Sequence, residues 1–344
     1  MCNKPILYYN KMGIKYLNNF LKENCPKSIK CISMSDLSGK KIAIDISIYL
    51  YKYASENCLI ENIYLMISIF RHYNITPIFI FDGKPPAEKK ELLQCRRDAK
   101  KDAENEYNRL KGCLAESITE IDKQEIIANM DVLKKQIVYI TKNQINKVKE
   151  LIVSAGVTYY DALGEADELC AMLAIKERVW ACLSEDMDMF VYGCPRVLRY
   201  FSLLNHTAVL YCMENILQEL KLTQKEFRQL CVLSGTDYNI SNNDSNNDSN
   251  NNYNNGPNLH KTIKLFKKYK QFNDSSCDFY EWIQKNDETY INNVTLLNNT
   301  YSIFELSENH VHLNIYDKIH IENSKILNQQ LRPILEEDGF MFPV

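Results

Sequence analysis

Residues 75–83 read ITPIFIFDG. An unbroken apolar run of this length, closed by an acid and a glycine, suits a strand buried on both faces of a parallel sheet. Residues 41–45, KIAID, repeat the pattern and again end in aspartate. Residues 179–183, VWACL, run into Ser184-Glu185-Asp186-Met187-Asp188, and residues 157–160, VTYY, lead through Asp161-Ala162-Leu163-Gly164 to Glu165. Helical patterns fill the intervals at 48–73, 87–111, 120–155 and 166–178. That alternation predicts an α/β fold around a central, mostly parallel sheet.

The 344 residues allow two domains or one large α/β domain. With 45% hydrophobic and 25% charged residues, the chain is neither disordered, collagenous nor a coiled coil. The longest nearly apolar stretch, 63–70, is too short to span a bilayer. The opening MCNKPILYYNK lacks the apolar centre of an export signal, so no membrane role is expected and the chain is expected inside the cell. The 12 cysteines form no CxxC pair or zinc spacing and read as reduced, mostly buried thiols. The net charge of −3 conceals segregation of charge along the chain.

Ligands of open α/β sheets bind at the carboxyl ends of the strands. Asp45, Asp82, Glu165 and Asp186 all fall there, with Asp167 and Asp188 two residues further on. One such acid is an ordinary helix cap or turn residue. Several on one edge repel and take up protons unless a cation intervenes. With no Cys or His beside them, they select a hard ion, Mg²⁺ or Mn²⁺. A pair of ions about 4 Å apart can hydrolyse a phosphodiester, whereas one ion could be structural or serve phosphate transfer. Residues 84–111 hold nine Lys/Arg against six Asp/Glu, and Lys89 and Arg96 share one helix face. Lys134, Lys135, Lys142, Lys147 and Lys149 continue the basic character. Each alone is a solvated helix face, but acidic strand ends with basic helices suit a polyanion held at the rim and cut at the centre. After a helix pattern at 223–235 comes NNDSNNDSNNNYNN, 242–255, a composition that reads as a disordered loop. The segment HKTIKLFKKYK, 260–270, then carries five lysines and no acid.

Together these segments resemble the flap endonuclease/XPG family of structure-specific 5′ nucleases. Met12-Gly13-Ile14-Lys15-Tyr16-Leu17 looks like its MGI-x-x-L start, and 41–47, KIAIDIS, and 79–86, FIFDGKPP, like its first two acidic motifs. GEADELC at 164–170, SEDMD at 184–188 and LSGTDY at 233–238 look like the later ones. The match runs in order over roughly 12–270.

The resemblance implies a PIN-like nuclease core with a helical arch and a helix–hairpin–helix DNA-binding element. It implies metal ligation by Asp45, Asp82, Glu165, Asp167, Asp186, Asp188 and Asp237. Lys89 and Arg96 would stabilise charge on the scissile phosphate. DNA contacts would fall to Gly13, Tyr51, Gly235, Gly256, Lys261 and Lys264, although the pattern around Tyr51 alone suggests core packing. The implied cofactors are two Mg²⁺, replaceable by Mn²⁺, with K⁺ at the hairpin in question. The implied layout is an N-terminal extension 1–11, a nuclease region with the start of the arch 12–111, and the rest of the arch with a connecting helix 112–155. An internal nuclease region 156–238 follows, then the Asn-rich insertion 239–257, a basic DNA-binding region 258–286 and a tail 287–344.

Asp82 and Glu165 lie 83 residues apart, room for an arch but not for the long spacer of the XPG branch. The short tail speaks against the exonuclease branch. The expected activity is therefore 5′-flap cleavage with 5′→3′ exonuclease activity on branched DNA, RNA-primed DNA included, by a monomer at a nuclear or cytoplasmic site of replication or repair. A ribonuclease on the same fold is the alternative. A non-catalytic scaffold fits poorly, because it has no use for seven mutually repelling acids. Three departures stand out. Eleven residues precede Met12, which is either the true start or follows an extension that alters access. The insertion replaces the residues before Gly256-Pro257 that would form the usual hairpin. No Q-x-x-[IL]-x-x-F-F sliding-clamp box is present at 329–342.

Overall fold

The computed structural model describes residues 14–116, 120–238, 258–272, 277–287, 290–291, 293–306 and 319–342. Gly13, Gly256, the 1–11 extension and the Asn-rich insertion lie outside the described residues.

Seven strands form one sheet: β1 (Ile29–Ser33), β2 (Lys41–Asp45), β3 (Thr76–Phe81), β4 (Thr158–Asp161), β5 (Ala181–Leu183), β6 (Arg196–Ser202) and β7 (Thr207–Cys212). Their spatial order is β1-β7-β6-β5-β2-β3-β4. The run from β6 to β4 is parallel, as the apolar runs predict, while β6/β7 and β7/β1 are antiparallel. β1 (IKCIS) is a half-exposed edge strand and β6 (RVLRYFS) is interrupted by arginine, whereas β7 (TAVLYC) carries an apolar run that sequence reasoning missed.

The helices are α1 (Leu17–Asn24), α2 (Ser47–Ser55), α3 (Leu59–His72), α4 (Lys90–Glu116), α5 (Glu120–Gln136), α6 (Lys142–Ser154), α7 (Ala166–Ile175), α8 (Asp188–Tyr192), α9 (Met213–Leu220) and α10 (Gln224–Ser234). Beyond the insertion come α11 (Leu259–Gln271), α12 (Phe279–Asn286), α13 (Val294–Phe304) and α14 (Asn328–Glu337). Two long helical patterns are each split in two. The 48–73 pattern breaks at Asn57, which takes a left-handed φ of 57°, a conformation asparagine tolerates at helix ends. The 120–155 pattern breaks before Thr141, whose hydroxyl accepts from Gln144 N while the Gln144 side chain accepts from Thr141 N. That reciprocal cap starts α6 afresh.

Alternate strand residues serve opposite faces of the sheet. Ala43, Ile78, Ile80, Cys182 and Val197 pack into one core with α7 and α10. Ile42, Ile44, Phe79, Phe81, Leu183 and Leu198 pack into the other with α2, α3 and α6. Phe79 and Phe70 are fully buried, each contributing roughly 1.5–3 kcal/mol. The C-terminal segment returns to the β4 edge, where Ser324 N donates to Gly156 O at 2.8 Å and Leu327 N to Ser154 O at 2.8 Å. Arg71 staples it by donating to the carbonyls of Ala155, Gly156 and Ser324. The described cysteines are all free thiols. No helix among the described residues is long and apolar enough to cross a membrane.

Candidate metal centre

β2, β3 and β5 end on the same edge, and the acids follow from those ends. Asp45 is the last residue of β2 and Asp82 the first after β3. Glu165 stands directly before α7, and Asp188 opens α8. The Asp82 and Glu165 loops are laced together: Gly83 N donates to Gly164 O at 2.8 Å and Lys84 N to Leu163 O at 3.1 Å. A Cβ on Gly83 would lie 1.9 Å from Ala162 O, so only glycine permits this approach. Asp82 Oδ1 accepts from Ala166 N at 2.8 Å, which puts its charge at the favourable N-terminus of α7. Asp82 Oδ2 accepts from the Ser47 hydroxyl. Asp45 accepts from Ser47 N and from the Ser184 hydroxyl, each at 3.1 Å.

Asp167, Asp186 and Asp188 each offer an oxygen, all within 4.8 Å of one another. Asp188 is fully buried, and neither of its carboxylate oxygens has a hydrogen-bond partner. The electrostatics register the crowding. Desolvation, then Asp82 and Asp186, push the Asp45 carboxyl up to about 8 against the pull of its Ser47 and Ser184 hydrogen bonds. Asp167 is raised well above the carboxylate range by burial and by Glu165. Asp188 is raised likewise by burial, Asp186 and Asp237. The donor set is all hard oxygen, and two orphaned buried oxygens point into it. A hard divalent cation fits these residues.

Lys89 and Arg96 both reach the acids. Lys89 lies in a short 3-10 turn, Ala87–Lys89, directly before α4 rather than within the helix. It is only 5% exposed, with Nζ 2.7 Å from Glu165 Oε2 and 4.5 Å above the Tyr238 ring. Burial opposes its charge, but Asp167, Glu165, Asp188 and Asp186 together outweigh that and raise its proton affinity. Arg96 on α4 donates to Asp237 Oδ2 at 2.9 Å.

Tyr51 is not a core residue. It is 47% exposed, and Lys100 Nζ lies 4.8 Å from its ring centroid. Its place on the outer face of α2 overrules the packing reading. Gly235 has φ 102° and open space where a Cβ would point. On α11, Lys264 is exposed and Lys261 half-buried. Lys147 and Lys149 do not extend the basic rim, because they pair with Glu337 and Asp161. Sequence reasoning also missed Tyr238, whose hydroxyl donates to Glu165 Oε2, and the two serines that orient Asp45 and Asp82. All three stand inside or beside the acidic motifs, the only signal that could have marked them.

Residues 12–103 match the family model of the XPG N-terminal domain, and residues 156–237 match that of the XPG I-region. Flap endonuclease 1-A of Oryza sativa subsp. japonica is 32% identical over 246 residues, covering 66% of this chain and 62% of that protein. Flap endonuclease 1 of Glossina morsitans morsitans is 32% identical over 245 residues, covering 66% and 61%. The chain thus spans somewhat under two thirds of the length of these relatives. Among solved structures, the catalytic core of Rad2 in complex with DNA substrate aligns with a TM-score of 0.60 at 19% identity, covering 93% of both chains. Flap endonuclease-1 from Methanococcus jannaschii aligns with a TM-score of 0.53 at 21% identity, covering 90% of this chain and 94% of that one. At such identities the likeness is one of fold.

Proposed function

Because the chain belongs to the XPG/flap endonuclease family, we propose that it is a divalent-metal-dependent phosphodiester hydrolase, a structure-specific 5′-flap endonuclease with 5′→3′ exonuclease activity on branched DNA. The observation that carries this reading is the convergence of carboxylates from separate strand ends on one edge, with two cations from the base of α4 turned into them. Asp45, Asp82, Glu165 and Asp167 would hold one ion, and Asp186, Asp188 and Asp237 the other, with Glu165 and Asp167 near both. Two Mg²⁺ ions there would supply an activated water and offset charge on the leaving oxygen.

The remaining work belongs to side chains of this chain. Lys89 and Arg96 pair with the acids, and a bound phosphodiester gives them a second anion to pair with. Their charge then stabilises the transition state. Ser47 and Ser184 orient Asp45 and Asp82. Tyr51, exposed beside the acids, offers a face for a base. The open, positive-φ backbone at Gly235 lets a strand approach closely. Lys261 and Lys264 of the 258–286 region would grip duplex phosphates, and α4 and α5 would form the arch that admits a free 5′ strand. The place of action would be inside the cell, where DNA is replicated or repaired.

The test is cleavage of labelled 5′-flap DNA, nicked duplex, bubble DNA and single-stranded RNA by purified protein in Mg²⁺ or EDTA. Mg²⁺-dependent cutting near the flap junction is the expected result. RNA cutting with intact flaps would make the protein a ribonuclease, and no cutting of any substrate would leave a binding scaffold.

A further inference from the structure

Asp186 sits in the loop 184–187 between β5 and α8, and Asp188 opens α8. Apart from Ser184, whose N donates to Leu198 O and whose hydroxyl donates to Asp45, the bonds that set the two acids are short-range. Asp186 N donates to Ser184 Oγ at 3.1 Å, and Asp188 N donates to Asp186 Oδ1 at 2.9 Å. Neighbouring carboxylates repel, so this loop needs an outside brace. Arg199 of β6 supplies one. It is 6% exposed, and one guanidinium nitrogen donates to Glu185 O at 2.8 Å. The other contacts Met187 Sδ and donates to Asn18 Oδ1 of α1 at 3.0 Å. Its Nε lies 3.5 Å from Glu185 Oε2. Arg199 therefore holds Glu185 and Met187, the residues that flank Asp186 and alternate with Asp188.

The backbone is deformed to place it. Tyr200, in mid-strand, takes a left-handed φ of 56°, and the β6/β7 register shifts between Arg199 and Ser202. Leu198 and Phe201, three residues apart, consequently pack in the same core, although strict alternation would send them to opposite faces. Tyr200 is pushed outward, where its hydroxyl accepts from Asn18 Nδ2 at 2.8 Å and its backbone N donates to Glu185 Oε1. A bulge of this kind re-aims a side chain, and a left-handed non-glycine residue is retained where the surroundings enforce it. Asn18 completes the frame by accepting from Tyr211 OH at 2.9 Å.

We infer that Arg199 is a positioning residue: through Glu185 and Met187 it sets the separation of the Asp186 and Asp188 carboxylates, and so the affinity for a divalent ion, without touching the substrate. The inference rests on the metal reading above. Removing a group bonded directly to metal ligands typically weakens metal binding about 10–100-fold, and Arg199, one residue removed from Asp186 and Asp188, is expected at the low end of that range.

The test is Mn²⁺ binding to DNA-free protein by isothermal titration calorimetry, with the Mg²⁺ concentration for half-maximal cleavage as a second readout. Arg199→Lys keeps the charge but loses the planar fork. It should raise the Mn²⁺ Kd by about 10-fold or more, with cleavage largely recovered at high Mg²⁺ and flap binding in EDTA within about twofold of wild type. Tyr200→Gly keeps the left-handed backbone and should leave the Kd within about twofold. Should Arg199→Lys fail to fold, Glu185→Gln, which removes the facing charge but not the shape, should weaken Mn²⁺ binding in the same direction. A folded Arg199→Lys protein with wild-type Mn²⁺ affinity overturns this inference alone. A wild-type protein that binds no Mn²⁺ overturns the metal reading with it.

Discussion

Asp188→Asn should stabilise the metal-free protein while abolishing cleavage. Asp188 is wholly buried, and both its oxygens lack hydrogen-bond partners. Burial, Asp186 and Asp237 raise its proton affinity well above the usual range. An amide has the same shape and no charge, and it can donate to the neighbouring carboxylates. Relieving a buried unsatisfied polar group is worth about 1–3 kcal/mol. For a chain of this size, with about 2.1 cal/mol/K of unfolding entropy per residue, that corresponds to a rise in Tm of roughly 1–4 °C. The sign with pH follows from the raised pKa. The folded protein binds the Asp188 proton more tightly than the unfolded chain, so the wild type bears no penalty below about pH 4. It then loses stability at up to about 1.4 kcal/mol per pH unit as pH climbs towards the folded pKa. The advantage of the asparagine variant should therefore be absent near pH 4 and grow upward. Thermal unfolding of both proteins in EDTA across pH 5 to 9 measures it. A parallel Mg²⁺ series should stabilise the wild type and leave the variant nearly unmoved. A variant less stable than wild type in EDTA at pH 8, or an advantage that shrinks as pH rises, would refute the account of a crowded, cation-seeking cluster.

Asp45, with its pKa pushed up to about 8, makes the same point for the wild type. Metal-free stability should fall as pH rises from about 4 to about 8, and saturating Mg²⁺ should flatten the slope, both readable from denaturant midpoints. Lys89→Ala and Arg96→Ala should each slow single-turnover flap cleavage by roughly 10²-fold or more, and near-normal rates would remove them from the site. Gly83→Ala must push Ala162 O away from a 1.9 Å overlap, parting the Asp82 and Glu165 loops. It should lower both Tm and Mg²⁺ affinity, and an unchanged Tm would show that the loops are not locked there. Deleting 242–255 should leave Tm unchanged, and a large loss of duplex affinity would show that the insertion takes part in binding.

The acids were legible from the sequence for a physical reason. A short apolar run closed by a turn signal suits a buried strand, and the polar residues that follow it fall at the sheet edge, where ligands bind. Asp45, Asp82, Glu165 and Asp186 needed nothing more than that to be placed together. At the antiparallel end of the sheet, β1 and β6 were not legible because they mix polar and apolar residues, as half-covered and bulged strands do, and the apolar run 208–212 of β7 was passed over. Neither break in the long helical patterns was read, since a left-handed Asn57 and a Thr141 cap leave helical periodicity almost intact. Tyr51 shows the limit of local pattern most plainly. Tyr49, Leu50 and Tyr53 around it are buried, yet helix phase turns it outward to Lys100.

The sequence alone thus determined the α/β class, the acidic edge and the basic pair, because burial periodicity and charge are written residue by residue. Only the tertiary structure decided that Lys89 is buried against Glu165, that Arg96 closes on Asp237, and that Tyr238, Ser47 and Ser184 orient the acids. It alone decided that a bulge at Tyr200 turns Arg199 onto the Asp186 loop. Each of these depends on distances between segments remote in the chain, which no local pattern encodes.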